Sequence, residues 1–142
     1  MAPALGAVAL WGCAAVILFA HQMLGIPGGY IARGDGLPEA PSMPLTVSTL
    51  AIRVALATLP IFPVGYLALR FGWVLFGTLA VVALWLLAAE METSGYAGDF
   101  GTTWARFEPL RELFLHPLHT PVALAVLGLA AYALLARCGR AR

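Results

Sequence analysis

Four polar residues stand inside otherwise apolar stretches: His21, Arg53, Glu90 and His119. Two imidazoles brought face to face across a helical bundle are what a six-coordinate b-type haem requires. His116 and His119, spaced i and i+3, suit one face of a helix. With His21 and Glu90 they compose a candidate set of ligands for a transition metal. Arg53 and Glu90 have the charges of an ion pair, or of a site for a small polar molecule. Each reading has a plainer counterpart: a structural clamp for the ion pair, and polar tips at the membrane boundary for the histidines.

The elements that carry these residues follow from hydropathy. Of the 142 residues, 61% are hydrophobic and 11% charged, against roughly 25% charged in a soluble domain. The chain reads as an all-α integral membrane protein. Four spans are expected, at about 4–24, 45–69, 72–90 and 117–137, each near the ~20 residues needed to cross a bilayer. They fill one domain, 1–142, as an up-down antiparallel four-helix bundle.

Local chemistry sets the boundaries. Gly25, Pro27, Gly28 and Gly29 end the first span. Arg70, Phe71 and Gly72 leave so short a turn that the second and third spans form a hairpin. Pro60 and Pro63 remove backbone donors from the second span, so a kink is expected between Thr58 and Gly65, with Thr58 satisfying part of the freed backbone. Glu90, Glu92, Ser94 and Gly95 are expected to open a polar loop. Within that loop Trp104, Phe107, Leu110 and Phe114 recur at helical spacing, with Arg106, Glu108, Arg111 and Glu112 between them. This pattern predicts a short amphipathic helix lying at the membrane interface before the fourth span.

Counting helical rise from the other end of each span puts His21, Arg53, Glu90 and His119 at one level, about 24 to 27 Å along. The hydrocarbon core is about 30 Å thick, so the level lies near its boundary. Gln22, Met23, Ser48, Thr49, Met91 and His116 fall within a turn of it. In the hairpin Arg53 comes opposite Ala88, within reach of Glu90. The rest of each span is almost wholly apolar. That gives no polar path for an ion channel or pump built from one chain.

Three arginines, Arg137, Arg140 and Arg142, follow or close the last span, and all seven acids fall on the side opposite the termini. The positive-inside rule counts basic residues alone, and these tie, Arg70, Arg137, Arg140 and Arg142 against Arg33, Arg53, Arg106 and Arg111; the three packed behind the last span favour both termini in the cytoplasm and the polar level at the outer face of the cell membrane. The first span is too long for a signal-peptide core and lacks a basic segment before it, so it is expected to be retained. Cys13, in mid-span, and Cys138, beyond the last span, are expected to be free thiols. The chain contains no Lys or Asn.

No paired-cysteine motif, phosphate-binding glycine loop, or nucleophile with a base is present, and no basic cluster suits nucleic acid. No catalytic residue is assigned. The leading expectation is an accessory or anchoring subunit of a larger membrane complex, in contact with lipid and with other membrane subunits or further copies of itself. The alternatives are a redox protein holding haem b or a transition metal through His21 and His119, and a carrier or binder of small molecules using Arg53 and Glu90.

Overall fold

The computed structural model describes residues 3–25, 47–99, 105, 107 and 110–139. Five α-helices account for most of them: α1 (Pro3–Gly25), α2 (Val47–Ala57), α3 (Ile61–Phe71), α4 (Val74–Asp99) and α5 (His119–Gly139). A π-helical turn, Leu110–Phe114, precedes α5. No strand occurs among the described residues. α1, α4 and α5 are each long and apolar enough to cross a membrane, and α2 with α3 makes a fourth span if that bent pair counts as one. Such helices are those of a multi-pass membrane protein.

α1 packs on α3 and α5, and α4 packs on the same two, so neighbours alternate around the core. The core stripe on α1 is Ala7, Leu10, Ala14 and Leu18; Val81, Trp85 and Ala88 answer it from α4, and Leu127, Ala131 and Leu135 from α5. These spacings of three and four residues are the helical repeat. The opposite faces are apolar too: Leu5, Val16, Leu75, Leu79, Leu87 and Leu129 are exposed. A helix apolar all round is suited to lipid on one side and protein on the other.

α2 and α3 meet at 42° across Thr58, Leu59 and Pro60. Pro60 has no N–H to give, and Leu59 N–H turns to Leu56 O (3.1 Å). Ala55 O loses its usual helical donor by that change. It accepts instead from Trp11 Nε1 on α1 (3.2 Å) and from Thr58 Oγ1 (3.3 Å), which also donates to Val54 O at 2.8 Å.

The α3–α4 turn is Gly72 and Trp73. Gly72 adopts φ 73°, a left-handed conformation that glycine takes without a Cβ penalty, and its N–H caps Ala68 O. Gly77 brings α4 hard against α3: a Cβ placed there would lie 2.5 Å from Ala68 Cβ and 3.0 Å from Leu135 Cδ1. Gly128 faces open space. Phe71, Trp73 and Phe76 form an exposed aromatic stack around this turn, with ring centroids 5.0 and 6.0 Å apart.

Two expectations need correction. α4 does not give way to a loop at Glu90; it continues to Asp99. Its polar side chains bond to the helix itself, Thr93 Oγ1 to Ala89 O (2.9 Å) and Ser94 Oγ to Glu90 Oε1 (2.9 Å), and so decorate the helix without ending it. In place of a regular interfacial helix before α5 there is the π-helical turn, closed by Leu115 N–H to Leu110 O (3.0 Å). Trp104, Arg106, Glu108 and Pro109 lie outside the described residues.

Candidate functional site

The site is built where α1 ends and α5 begins. Leu118 N–H and His119 N–H both donate to His116 Nδ1, each at 3.2 Å. His116 thereby performs the work of a helix N-cap, with Pro117 in the first position, where a missing N–H is harmless. Thr120 closes the reciprocal half by accepting from His116 N–H (2.9 Å). An Nδ1 that accepts two hydrogen bonds carries no proton. In the neutral ring Nε2 then carries it, which leaves His116 no lone pair for a metal.

Thr120 Oγ1 is the hub. Its single proton goes to Phe114 O (3.1 Å), a carbonyl that can only accept, and His21 Nε2 lies 3.0 Å from the same oxygen. With the hydroxyl proton assigned to that carbonyl, His21 Nε2 is the donor and, in the neutral ring, Nδ1 is a bare lone pair; a hydroxyl turned to the imidazole would instead put the ring proton on Nδ1. That atom is buried and has no hydrogen-bond partner. The ring is only 4% exposed; it stacks on Phe114 (4.0 Å between centroids, 21°) and meets Trp85 edge-on at 6.0 Å. Trp85, fully buried, donates its Nε1–H to Ala14 O (3.1 Å), which fixes the wall behind the imidazole.

Phe114 was expected among the interfacial anchors and is instead 1% exposed, inserted over His21. Leu110 likewise packs on the core, whereas Phe107 remains half-exposed. Leu110 and Phe114, at the two ends of the π-turn, both face the bundle.

His119 stacks on His116 at 4.1 Å and 15°, and its Nδ1 is also buried without a partner. His21 and His119 line one groove of about 440 Å³ between α1 and the start of α5. Its other walls are apolar, chiefly Ile17, Ala20 and Leu24 on one side and Leu118, Val122 and Val126 on the other. The structure thus brings together the two histidines named from sequence. It does not assemble the proposed metal set: among the described residues no group of three His, Cys, Asp or Glu side chains is placed to hold a metal.

The charged pair is also displaced from its expected register. Arg53 reaches α4 near Gly95, where a Cβ would lie 3.4 Å from its Nη2. Glu90 Oε1 accepts from Ser94 Oγ, and Oε2 is buried with no hydrogen-bond partner. Gln22 is fully buried with neither amide atom partnered, and Glu92 is 7% exposed. The shared polar level is therefore largely an internal layer.

Gln22, Thr120 and Trp85 were absent from the sequence-derived site residues. For Thr120 a signal exists: a residue ahead of a proline at a helix start marks His116 as the cap, and the hydroxyl four residues on is placed to answer it. Both cysteines are free. Comparison of the chain with protein-family models, curated proteins and solved structures finds no match.

Proposed function

We propose that this chain is a four-span membrane protein acting as an accessory or anchoring subunit of a larger membrane complex. In this reading α2 and α3 are a single span bent at its prolines, alternate spans run up and down, and both termini face the cytoplasm of the cell membrane. The observation that carries it is the sealed interior. From Ala7 through Leu18 on α1, and from Leu135 to Leu127 on α5, every buried position is apolar, and Trp85 plugs the middle. Neither an ion nor a polar solute has a route through such a core. What the chain offers is surface: apolar helix faces on every side and an aromatic stack around the Gly72 turn.

The same geometry weighs against the other two readings. Axial haem ligation through His21 Nε2 would require that nitrogen to leave Thr120, and a carrier using Arg53 and Glu90 would need a polar path inward.

Cross-linking in the native membrane, gentle extraction and mass spectrometry of co-purifying chains test the proposal. A membrane partner, or a second copy, in fixed stoichiometry is the expected result. A single chain that captures nothing before or after extraction would overturn it. The absorption spectrum of the same sample is expected to show no Soret band that His21→Ala or His119→Ala removes.

A further inference from the structure

The groove between α1 and α5 differs in one respect from another lipid-facing depression. That one, about 220 Å³, is lined by Ala15, Val16, Phe19, Ala51 and Val54, with no polar side chain among the described residues of its wall. The larger groove has two imidazoles in its wall, each with a buried Nδ1 lacking a partner. For His21, the tautomer in which Thr120 donates to Phe114 O makes that atom an acceptor without a donor. An unsatisfied buried acceptor is costly, and the ring that carries this one is packed against Phe114 and Trp85.

We infer that the α1–α5 groove binds a single-chain, membrane-soluble amphiphile with a neutral hydroxyl head, such as a quinol, an alkylphenol or a long-chain alcohol. Once the side chains that cover His21 Nδ1 in this structure give way, the hydroxyl donates to that atom and the chain lies along the apolar wall. From Leu24 to Ile17, and from Leu118 or His119 to Val126, that wall runs roughly 10 Å along the helices. Its length accepts a chain of several methylenes and its volume falls in the ordinary range for small-ligand sites. Among the described residues no arginine or acid lines it. A phosphate or carboxylate head would find no countercharge in the wall, which is why a neutral donor is the matching chemistry. The ligand enters sideways from the bilayer, since Leu24, Leu118 and Val122 are exposed at the groove's edge. This site is independent of the accessory-subunit reading, and either can fail alone.

The test compares 4-dodecylphenol with dodecylbenzene, which shares the chain and ring but lacks the hydroxyl. Both are titrated into the full chain in lipid nanodiscs, with ¹⁵N-labelled histidine side chains followed by NMR. The phenol is expected to saturate, to shift one unprotonated Nδ1 resonance, assigned to His21 by its loss in His21→Phe, and to bind about tenfold more tightly than the hydrocarbon, as one hydrogen bond to a buried acceptor allows. Val122→Trp fills the groove from its exposed edge and should weaken phenol binding at least tenfold. Ala51→Trp, in the other depression, should leave it unchanged.

Equal saturation by both probes would overturn the inference and make the groove an acyl slot only. Binding that leaves the His21 Nδ1 resonance in place, a titration that rises without saturating, or indifference to Val122→Trp would overturn it as well. Because Val122→Trp and Ala51→Trp both alter lipid-facing positions, the result does not depend on whether His21→Phe folds.

Discussion

At the Gly72 end of the molecule helices meet as surfaces, whereas at the histidine end they meet through single directed bonds. Gly77 lets Ala68 and Leu135 approach to van der Waals contact, and Gly6 does the same for Leu69 and Cys138. Nothing polar intervenes. Across the bundle, one threonine oxygen joins α1, α5 and the π-turn, and around it lie buried nitrogens and oxygens left without partners. Within a bilayer lipid tails are as apolar as leucine, so close packing is what remains to hold the first end together. The second end holds because its hydrogen bonds have no water to compete with. The first is optimised for fit; the second retains unused bonding capacity, as a site does before its ligand arrives.

Substitutions can break this contrast. Trp85→Ala removes the largest buried side chain, which touches the histidine end and plugs the core beneath it. A loss of about 3 kcal/mol or more in unfolding free energy, read in mixed micelles, is expected. Gly77→Val drives a branched side chain into Ala68 Cβ and should cost about 2 to 3 kcal/mol, while Gly128→Ala, facing open space, should stay within about 0.5 kcal/mol of the parent. Equal effects at the two glycines would remove the claim that fit rules the turn end.

Thr120→Val keeps the shape of the hub and deletes its oxygen, orphaning the His21 Nε2–H and the His116 N–H. About 1 to 2 kcal/mol should be lost, accompanied by a change in the His21 tautomer visible in ¹⁵N spectra. A stable variant with unchanged imidazole signals would show that the hydroxyl does not set the ring's proton. The smallest effect is expected at Trp73→Ala. Its ring is half-exposed, so stability should move by less than about 0.5 kcal/mol, while the depth of the turn in the membrane, read by fluorescence quenching of the remaining tryptophans, shifts with loss of an aromatic anchor.

The sequence announced the helices and the level of the polar groups because both depend on local composition and a constant rise per residue. His21 and His119 therefore could be paired by arithmetic. Arg53 and Glu90 could not, since a flexible side chain longer than a helical turn decides its own endpoint. Phe114 was misplaced for a different reason: spacing marks which residues share an apolar face, not whether that face meets lipid or the bundle, and here it covers His21. Polar residues after Glu90 resembled a loop by composition, yet Thr93 and Ser94 bond within the helix and let it run on. Gln22 was legible as a member of the polar level but its complete burial was not, because a single amide leaves no trace in periodicity.

The bond from Trp11 to Ala55 O bears on how the chain is made. Synthesis proceeds from the N-terminus, so the indole is already present when the segment containing the broken turn emerges. The carbonyl released at Thr58–Pro60 need not remain bare in hydrocarbon until later helices arrive, because its donor was translated first. A rearranged gene encoding α1 after α5 would preserve every residue of the finished protein and remove that head start, exposing the bent segment to retention errors and quality-control proteolysis during membrane insertion.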